Sequence, residues 1–487
     1  MPIPVMTVAQ MRAWEKTTWA KDQTEAEVIR RVGKRVARCA RQMTHPGDSI
    51  LILAGKGHNG EDALAAKDHL KGRKVKVMEM LLPASDLTRL EMMLGDGPDL
   101  IVDGLFGIGL NRPLGEAWRG IIDRVNASGL PVLAVDVPSG LNADTGKPEG
   151  SAIRAAVTLA VGAPKAGLLS AQARSFVGRL ELAADVGLAE CAEAGEWWWT
   201  MEQDFMNFPP AREVDGHKGT HGHALLVAGG TGYHGAAVLA ARGALRAQPG
   251  LVTLLTPGEV YTQVASQLSA AMVRSWQPGE PWPDSVSAVG VGPGLAPLSQ
   301  SGLSHSGHSG QSAPAAAWSE WLAQLWRDCP VPLVVDASAL DGLENVAGVN
   351  LPADRVRVIT PHPGEAARLL GTSPAAVQAD RPAALRALSR KLGGCWVILK
   401  GHATLTGRAA GPGHVNGSGN PFLAQGGAGD VLTGYLTGWL AQPLAHKQGV
   451  ARLLTHAVWR HGRTADILQS KRSGWTVEDL ADTLGMD

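Results

Sequence analysis

The chain has 487 residues, and 45 lysines and arginines balance 45 aspartates and glutamates, so its net charge is zero. Hydrophobic residues make up 45% of it, which is enough for packed cores and excludes a mainly disordered protein. Zero net charge argues against a nucleic-acid-binding protein, because such proteins need a basic surface that displaces counterions. At roughly 100–200 residues per domain, we expect two or three domains.

Glycine is over-represented, with 60 Gly beside 30 Pro, and no collagen-like G-X-Y period accompanies it. These glycines must serve turns, close packing or the close approach of backbone to a ligand. The four cysteines lie too far apart in sequence for a metal or redox motif, so we expect a reducing cytoplasm. A signal peptide and an apolar run of about 18 residues are both missing from the sequence, so no membrane segment is expected.

The first half alternates between two kinds of segment. Residues 8–45 carry apolar side chains at helical spacing. Short apolar runs then predict strands at residues 49–54, 75–80, 99–103, 132–137 and 156–161, with helices at residues 62–70 and 118–125. Such alternation is typical of a mostly parallel sheet covered by helices on both faces. We therefore predict an α/β domain over residues 1–205.

Residues 187–215 interrupt this alternation with charges, prolines and three consecutive tryptophans, and we interpret them as an inter-domain connection. A second α/β domain is predicted over residues 215–487. Its strands are predicted at residues 224–228, 251–256, 287–291, 331–336, 355–360 and 396–400, and its helices at residues 236–247, 318–326, 365–370, 382–392 and 430–440. The Ser/Gly/His/Ala-rich stretch between Gly294 and Trp318 predicts a mobile surface loop.

Three loops in the first half follow predicted strands. The glycine-rich loop at residues 55–62 could bring backbone N–H groups close to an anion, although a plain tight turn is the alternative. Two further loops begin at Asp103 and Asp136. Ligands of open α/β sheets bind at the carboxyl ends of the strands, so we expect these loops to converge on one site. The oxygen atoms of Asn59, Asp103 and Ser139 also suit a hard cation.

The segments GKGHNGED, DLIVDGLFGIGL, VLAVDVPSGLNADTG and GAPKAGLL resemble, in this order, the N-terminal domain of the bifunctional NAD(P)H-hydrate repair enzymes. The resemblance implies a Rossmann-like αβα domain that interconverts the R and S forms of hydrated NAD(P)H. It also implies a potassium ion held by Asn59, Asp103 and Ser139, and a catalytic carboxylate at Asp136. The implied substrate contacts are His58, Asn59, Gly60, Glu61, Asp62, Gly107, Ile108, Gly109, Leu110, Asn111, Arg112, Pro113 and Asp136.

The first of these segments departs from the family. Members usually have Asn-Asn-Gly-Gly-Asp-Gly, whereas this chain has His58, Asn59, Gly60, Glu61 and Asp62 in the corresponding stretch. The Glu61 position adds a negative charge beside a site meant for a phosphate-bearing ligand. A ligand-sensing or interaction module without turnover is therefore an alternative for the first domain.

The strongest local pattern in the second half is the glycine run at residues 426–429, followed by Asp430 and an apolar helix. Glycines before a helix can direct several N–H donors at transferred phosphoryl oxygens. The Asp430 carboxylate can then act as a base toward a substrate hydroxyl, and a simple helix cap is the alternative. At other strand ends, Lys400 can contact nucleotide phosphates, and prolines on either side present His362.

The segments HKGTHGHALLVAGG, GVGPGLA, VVDASAL, TPHPGEAARLLG, LKGHATL and SGNPFLAQGGAGDVLTG resemble the ATP/ADP-dependent NAD(P)H-hydrate dehydratases, which have a ribokinase-like fold. The resemblance implies that ADP (or ATP) phosphorylates the C6 hydroxyl of S-hydrated NAD(P)H, after which phosphate is lost. Magnesium would neutralise the nucleotide phosphates. The implied substrate contacts are Ala236, Gly294, His362 and the catalytic Asp430. The implied nucleotide contacts are Lys400, Gly401, His402, Ala403, Thr404 and Gly429.

Two other functions remain open. One is a ribokinase-fold kinase of a small-molecule alcohol, joined to a non-catalytic ligand-binding N-terminal domain. The other, a hydride-transferring oxidoreductase, is disfavoured because neither half contains a complete dinucleotide-binding fingerprint. For either of the favoured activities we expect small-molecule substrates and a homo-oligomer, without nucleic acid or membrane partners.

Overall fold

The computed structural model describes residues 3–21, 23–191, 195–295, 315–346, 348–352 and 354–486. Within it the chain forms two compact units, Pro2–Trp199 and Thr200–Asp487. The predicted loop between Gly294 and Trp318 falls mainly on residues 296–314, which lie outside the described residues. No helix in the described part of the chain is long and apolar enough to cross a membrane. Cys39, Cys329 and Cys395 are buried free thiols.

The first unit is built on a six-stranded, entirely parallel sheet of strand order β3-β2-β4-β5-β6-β7. The strands of this sheet are β2 (Ser49–Ala54), β3 (Lys74–Glu79), β4 (Leu100–Gly104), β5 (Val132–Val135), β6 (Val157–Val161) and β7 (Arg179–Ala183), whereas β1 (Ile3–Pro4) and β8 (Trp197–Thr200) lie outside it. Its helices are α1 (Val8–Trp19), α2 (Glu25–Gln42), α3 (His58–Ala65), α4 (Pro83–Gly95), α5 (Glu116–Ala127) and α6 (Arg174–Val177).

Alternating side chains of β2 show that helices cover both faces of this sheet. Ile50 and Ile52 pack into one core with residues of α2 and α3. Leu51 and Leu53 pack into a second core with residues of α4 and α5. Successive side chains of a strand point to opposite faces, so a strand covered on both sides is apolar throughout. The predicted three-layer αβα class is confirmed.

The three consecutive tryptophans occupy a strand rather than an irregular connection. Strand β8 pairs antiparallel with β1, so that Trp199 lies opposite Ile3 and Trp198 opposite Pro4. The boundary between the two units, after Trp199, lies within the connection predicted at residues 187–215, and this connection contains a strand that the sequence did not indicate. Aromatic residues favour extended backbone, and the partner strand lies at the other end of the unit's sequence, where local patterning does not reveal it.

The second unit contains a nine-stranded run of order β17-β16-β15-β14-β13-β12-β9-β10-β11. It is parallel from β15 to β11, whereas β16 and β17 are antiparallel. The strands are β9 (His223–Val227), β10 (Leu251–Thr256), β11 (Met272–Ser275), β12 (Ala288–Val291), β13 (Leu333–Val335), β14 (Arg357–Ile359), β15 (Trp396–Leu399), β16 (Leu405–Gly407) and β17 (Gly413–Asn416).

The helices of the second unit are α7 (His234–Arg246), α8 (Tyr261–Ala265), α9 (Ala315–Asp328), α10 (Pro363–Leu370), α11 (Pro374–Ala379), α12 (Arg381–Lys391), α13 (Ala428–Leu440), α14 (Pro443–His446), α15 (Val450–Lys471) and α16 (Val477–Thr483). One face of the sheet packs in a core that includes residues of α7, α13, α15 and α16. Helix α12 contacts β15 and β16.

Helices α7 and α13 pack backbone against backbone. A Cβ added to Gly434 would lie 1.8 Å from the Ala240 carbonyl oxygen, and one added to Gly243 would lie 2.2 Å from that of Val431. The N-terminal part of α13 contacts the N-terminal half of α7, where Gly427 lies beside Leu239. The C-terminal part of α13 contacts the C-terminal end of α7, where Gly438 lies beside Ala247. The helices are therefore parallel, and both begin at the carboxyl edge of the sheet.

Candidate functional sites

The carboxyl ends of the first unit's strands surround a cavity of about 820 Å³. The predicted convergence of the loops after β2, β4 and β5 occurs here. Twelve of the thirteen predicted substrate residues line it, namely His58, Asn59, Gly60, Asp62, Gly107, Ile108, Gly109, Leu110, Asn111, Arg112, Pro113 and Asp136. The exception is Glu61, whose exposed side chain is not among the lining residues, so its added charge does not face the cavity.

The loop after β2 requires its glycines. A Cβ on Gly55 would lie 2.0 Å from the Leu105 carbonyl oxygen, and a Cβ on Gly60 would lie 2.0 Å from that of Gly55. At Gly57 the φ angle is 136°, a region that side chains disfavour. Helix α3 begins directly afterwards at His58, four residues before the predicted start, so Asn59 and Gly60 belong to its first turn.

The three residues predicted to hold a cation lie around the backbone of Phe106. Asp103 is fully buried, and its two oxygens accept hydrogen bonds from the Ser139 hydroxyl at 2.6 Å and the Ser139 amide at 2.8 Å. The Asn59 amide donates to the Phe106 carbonyl at 3.0 Å, and the Ser139 hydroxyl oxygen accepts from the Phe106 amide at 2.8 Å. Burial raises the pKa of Asp103 to about 6.

Asp136 is held in an uncommon conformation by a buried lysine that sequence reasoning missed. Its φ angle is 66°, and its Oδ1 accepts from the Val161 amide at 3.0 Å. The same oxygen pairs with the ammonium of Lys165, which is 1% exposed and also donates to the Val161 carbonyl at 2.8 Å. The available signal was the Gly-Ala-Pro-Lys stretch after β6, which places a lysine at the same sheet edge.

Helix α1 contributes two further charged residues that the sequence did not mark, Arg12 and Glu15, to the wall of the cavity. Burial, and then the charge of Asp136, raise the pKa of Glu15. Burial also raises the pKa of Asp62 well above its usual range, and nearby carboxylates add to this effect. The cavity thus contains carboxyl groups that retain protons more readily than carboxyls in water, which suits proton donation to a substrate oxygen.

His58 opens α3 and keeps most of its ring exposed, with Nε2 3.6 Å from a carboxylate oxygen of Glu25. The ring therefore lies at the entrance of the cavity with a partner on α2.

In the second unit, the glycine run precedes a helix as predicted. Gly427 has φ 96°, and Asp430 lies in the first turn of α13. Burial raises the pKa of Asp430 to about 7, and the negative charge of Asp336 adds to this effect. A carboxyl with a pKa near the working pH is suited to accept a proton from a hydroxyl.

Lys400 lies beside this first turn, but its ammonium is already paired. Its Nζ donates to Asp336 Oδ1 at 2.8 Å, and the Thr433 hydroxyl donates to Asp336 Oδ2 at 2.6 Å. Burial would lower the pKa of Lys400, but its attraction to Asp336 and Glu365 outweighs burial and raises it, so the ammonium stays charged.

The predicted nucleotide segment, residues 400–404, is a tight turn with φ 126° at Gly401 and φ 51° at Ala403. The Thr404 hydroxyl donates to the Gly401 carbonyl at 3.0 Å. Arg381, another residue that the sequence did not mark, is buried and donates to the Leu399 carbonyl at 2.9 Å, which anchors the start of this turn.

Among the predicted substrate residues of the second unit, two lie in contact with each other and a third caps a helix. Ala236 and Gly294 are brought together, since a Cβ on Gly294 would lie 2.8 Å from the Ala236 Cβ. His362 caps α10, and its Nδ1 accepts from the Gly364 amide at 2.9 Å. Its side chain remains 53% exposed, so the ring can cap the helix and still present one edge to a ligand.

Two family models match the chain. The model described as NAD(P)H-hydrate dehydratase matches residues 224–485, and the model described as YjeF-related protein N-terminus matches residues 25–92 and 81–167.

Curated relatives match over nearly the whole chain. A bifunctional NAD(P)H-hydrate repair enzyme of Moorella thermoacetica is 34% identical and covers 89% of this chain and 86% of its own length. Relatives of the same description from Gloeobacter violaceus and Escherichia coli are 34% and 31% identical and cover 98% and 94% of this chain, and 96% and 88% of their own lengths. Among solved structures, the ADP/ATP-dependent NAD(P)H-hydrate dehydratase of Bacillus subtilis, co-crystallised with ATP/Mg²⁺, is 27% identical, with a TM-score of 0.46 over 57% of this chain and 92% of its own.

Proposed function

The chain belongs to the bifunctional NAD(P)H-hydrate repair enzymes, and from this premise we propose that it repairs hydrated NAD(P)H at two sites. The cavity of the unit Pro2–Trp199 epimerises the R hydrate to the S hydrate. The site at the start of α13 dehydrates the S hydrate with ADP and releases AMP and phosphate. The observation that carries the proposal is Asp430, a half-buried carboxyl with a pKa of about 7 at a glycine-lined helix N-terminus.

For dehydration, the Asp430 carboxylate accepts the proton of the substrate's C6 hydroxyl as the hydroxyl oxygen attacks the terminal phosphorus of ADP. AMP is the leaving group. The phosphorylated carbon then loses phosphate, with its electron pair, and C5 loses a proton, which restores NAD(P)H. Backbone N–H groups at the start of α13 and the Lys400 ammonium stabilise the negative charge that develops on the phosphoryl oxygens.

Magnesium would neutralise phosphate charge when it is bound with the nucleotide. Within the described ranges, no group of three or more His, Cys, Asp or Glu side chains is arranged to hold a metal ion. We therefore propose that phosphate oxygens of the nucleotide are its principal ligands.

For epimerisation, the C6 hydroxyl must leave and water must return to the opposite face of the ring. The C6 carbon is bonded to the ring nitrogen, whose lone pair can stabilise the intermediate cation. We assign Asp136, fixed by Lys165, to move protons at this hydroxyl, and we assign Asp62 and Glu15, whose pKa values burial raises, as proton donors.

The oxygen-rich cluster around Phe106 supports a potassium site at Asn59, Asp103 and Ser139. Hard oxygen ligands and a fully buried carboxylate fit such an ion, which would supply the positive charge that this carboxylate needs when ionised. The free thiols of Cys39, Cys329 and Cys395 fit the expected cytoplasmic location, which stays a prediction. The homo-oligomer stays a prediction, which light scattering of the purified chain measures.

The test uses the full chain and an equilibrium mixture of R and S NADH hydrate, with ADP and Mg²⁺. We expect the near-ultraviolet absorbance of reduced nicotinamide to return for the whole mixture, faster than uncatalysed epimerisation allows. Recovery of the S fraction alone would refute the epimerase. Consumption of nucleotide without recovery of absorbance would favour an alcohol kinase.

The matched variant is Asp430→Ala, for which we expect dehydration to fall by about 10³-fold or more because the base is lost. Epimerisation, followed by chromatography of the two hydrates, should continue unchanged. Retained dehydration in this variant would remove Asp430 from the mechanism.

A further inference from the structure

A buried acid, Asp336, lies behind the first turn of α13 and has so far no part in the proposed reaction. It follows β13 and is 1% exposed. One carboxylate oxygen accepts from Lys400 at 2.8 Å and the other from Thr433 at 2.6 Å. Thr433 lies three residues beyond Asp430 on the same helix, slightly less than one turn. Asp336 therefore connects two elements of the site, the end of β15 and the start of α13.

The position of the ammonium follows from this arrangement. A Cβ added to Gly429 would lie 3.2 Å from Lys400 Nζ and 3.7 Å from Asp336 Oδ2. The Lys400 side chain is only 21% exposed. The ammonium is thus held against the N-terminus of α13 and does not extend into solvent as a flexible anchor for a nucleotide.

Three ionisable side chains influence Asp430 at the first turn of α13, and a fourth, His461, contacts the backbone of this turn. Asp336 and Glu365 raise its pKa, and Lys400 lowers it, in addition to the larger effect of burial. From α15, His461 Nε2 meets the Ala428 carbonyl at 2.9 Å. Burial lowers the pKa of His461 to about 4, so this ring is neutral at neutral pH. Lys400 is therefore the cation of this group, and its position decides how much Asp430 is stabilised as a carboxylate.

We propose that Asp336 is a positioning residue for the dehydration: it fixes the Lys400 ammonium beneath the start of α13, facing the transferred phosphoryl group. A cation held in place before the reaction stabilises developing charge without the cost of reorganisation. By binding the ammonium, Asp336 also prevents Lys400 from forming an ion pair with Asp430, which would make Asp430 a weaker base. This inference rests on the proposed dehydratase function.

The test is Asp336→Asn in the full chain, with the pH dependence of kcat measured on S-hydrate and ADP. We expect kcat at its optimum to fall about 10- to 100-fold, because the ammonium is no longer fixed. The acidic limb of the profile should move to lower pH because the pKa of Asp430 should fall. Asp430 would lose the negative charge of Asp336, and the Lys400 ammonium would be released to pair with Asp430; both changes favour the ionised carboxyl. The KM for ADP should change less than about threefold, as expected when only transition-state binding is lost.

A matched pair of threonines on α13 provides a gentler test. Thr433→Val removes the hydrogen bond to Asp336 with little change of shape, and kcat should fall about fivefold, the equivalent of one hydrogen bond. Thr437→Val makes the same change one turn further on, where the hydroxyl donates to the Thr433 carbonyl at 2.8 Å, and it should leave kcat within about twofold.

Several outcomes would overturn the proposal. One is an acidic limb of the kcat profile that Asp336→Asn leaves unchanged. Another is a raised KM for ADP with a normal kcat in this variant, because Lys400 would then serve to bind the nucleotide. If circular dichroism shows that Asp336→Asn is unfolded, the variants Thr433→Val and Thr437→Val provide the test instead. Equal kcat values for these two variants would refute the proposal. A wild-type chain that does not restore NADH contradicts the proposed function itself.

Discussion

Both sites contain ionisable side chains that the fold removes from water, and hydrogen bonds or a paired lysine stabilise them. Asp103 is stabilised by hydrogen bonds from Ser139, and its raised pKa shows that these do not offset burial fully. Asp136 and Asp336 each face a lysine, Lys165 and Lys400. A buried charge without such a partner is strongly destabilising, so each partner is as necessary as the residue that it supports.

We expect Lys165→Met to reduce epimerisation by about 10²-fold, because Asp136 would lose the cation that orients it in its strained backbone conformation. The variant should also lose roughly 3–5 kcal/mol of stability, since an uncompensated carboxylate would remain buried. Chromatographic separation of the hydrates measures the first effect and denaturant unfolding the second.

The exposed Lys147→Met is the matched control and should behave as the wild type. The Lys165→Met variant should also dehydrate S-hydrate with ADP at a nearly normal rate, because the residues proposed for dehydration belong to the other unit. Normal epimerisation by Lys165→Met would show that Asp136 does not need this lysine.

The pKa of Asp103 makes the proposed potassium site dependent on pH. Its folded-state pKa of about 6 exceeds the ordinary value of 3.8, so the contribution of this carboxyl to stability is present below pH 3.8 and is lost as the pH rises through 6. A cation that binds the Asp103 carboxylate restores the stability that is lost when this carboxyl ionises. We expect K⁺ to add roughly 1–3 kcal/mol of stability near pH 8, at saturating concentration, and almost nothing near pH 4.

Thermal unfolding in potassium chloride and in choline chloride at equal ionic strength measures this difference. The variant Asp103→Asn should unfold alike in the two salts at both pH values. Equal stability of the wild type in both salts near pH 8 would argue against the ion.

At the scale of helices and strands, close packing of α7 on α13 brings two helix N-termini to the same edge of the sheet. The small residues at their contact, Gly243, Gly434 and Gly438, allow this approach. Much of the glycine excess therefore serves packing as well as ligand loops. The position of Asp430 depends on this contact, because α13 can lie so close to the sheet only while its neighbour lacks bulky side chains.

We predict that Gly434→Ala lowers the free energy of unfolding of the second unit by about 2–3 kcal/mol, because the new methyl group would overlap the Ala240 carbonyl. Gly235→Ala on α7 is the matched control: nothing lies within 4 Å of its Cβ position, so the variant should be as stable as the wild type or gain up to about 1 kcal/mol. Urea unfolding midpoints compare the two. Equal midpoints would show that the helices can move apart at little cost.

Most strands were predictable because each is a short apolar run between turn residues, and β2 and β10 have the predicted bounds. Elements without that pattern were missed. Helix α15 mixes histidine, arginine and threonine with apolar residues, and β8 required a partner from the other end of the unit. The predicted start of α3 was four residues too late, because a glycine-rich stretch usually indicates a loop. The close contacts of Gly60 with Gly55, and of Gly55 with Leu105, appear only in the folded structure.

Across the whole molecule, each unit repeats one arrangement, a mainly parallel sheet with the proposed reactive groups at the carboxyl edge of its parallel strands. In parallel sheets the strand ends provide backbone groups and helix N-termini together, which suits phosphate-bearing ligands. The two activities should be separable by substitution, as the variants of Asp430 and Lys165 test. The family relationship over both halves explains why one chain carries both sites.

The sequence by itself determined the α/β class, the repair function implied by its ordered segments, the strand-end residues Asp103 and Asp136, and Asp430 at the start of a helix. These properties are local, since hydrophobic periodicity and loop chemistry depend on neighbours in the chain. Only the tertiary structure decided which charges face one another. The pairs of Asp136 with Lys165 and of Asp336 with Lys400 join residues 29 and 64 positions apart. Such pairs, and the pKa shifts that burial produces, exist only after the strands have assembled and excluded water.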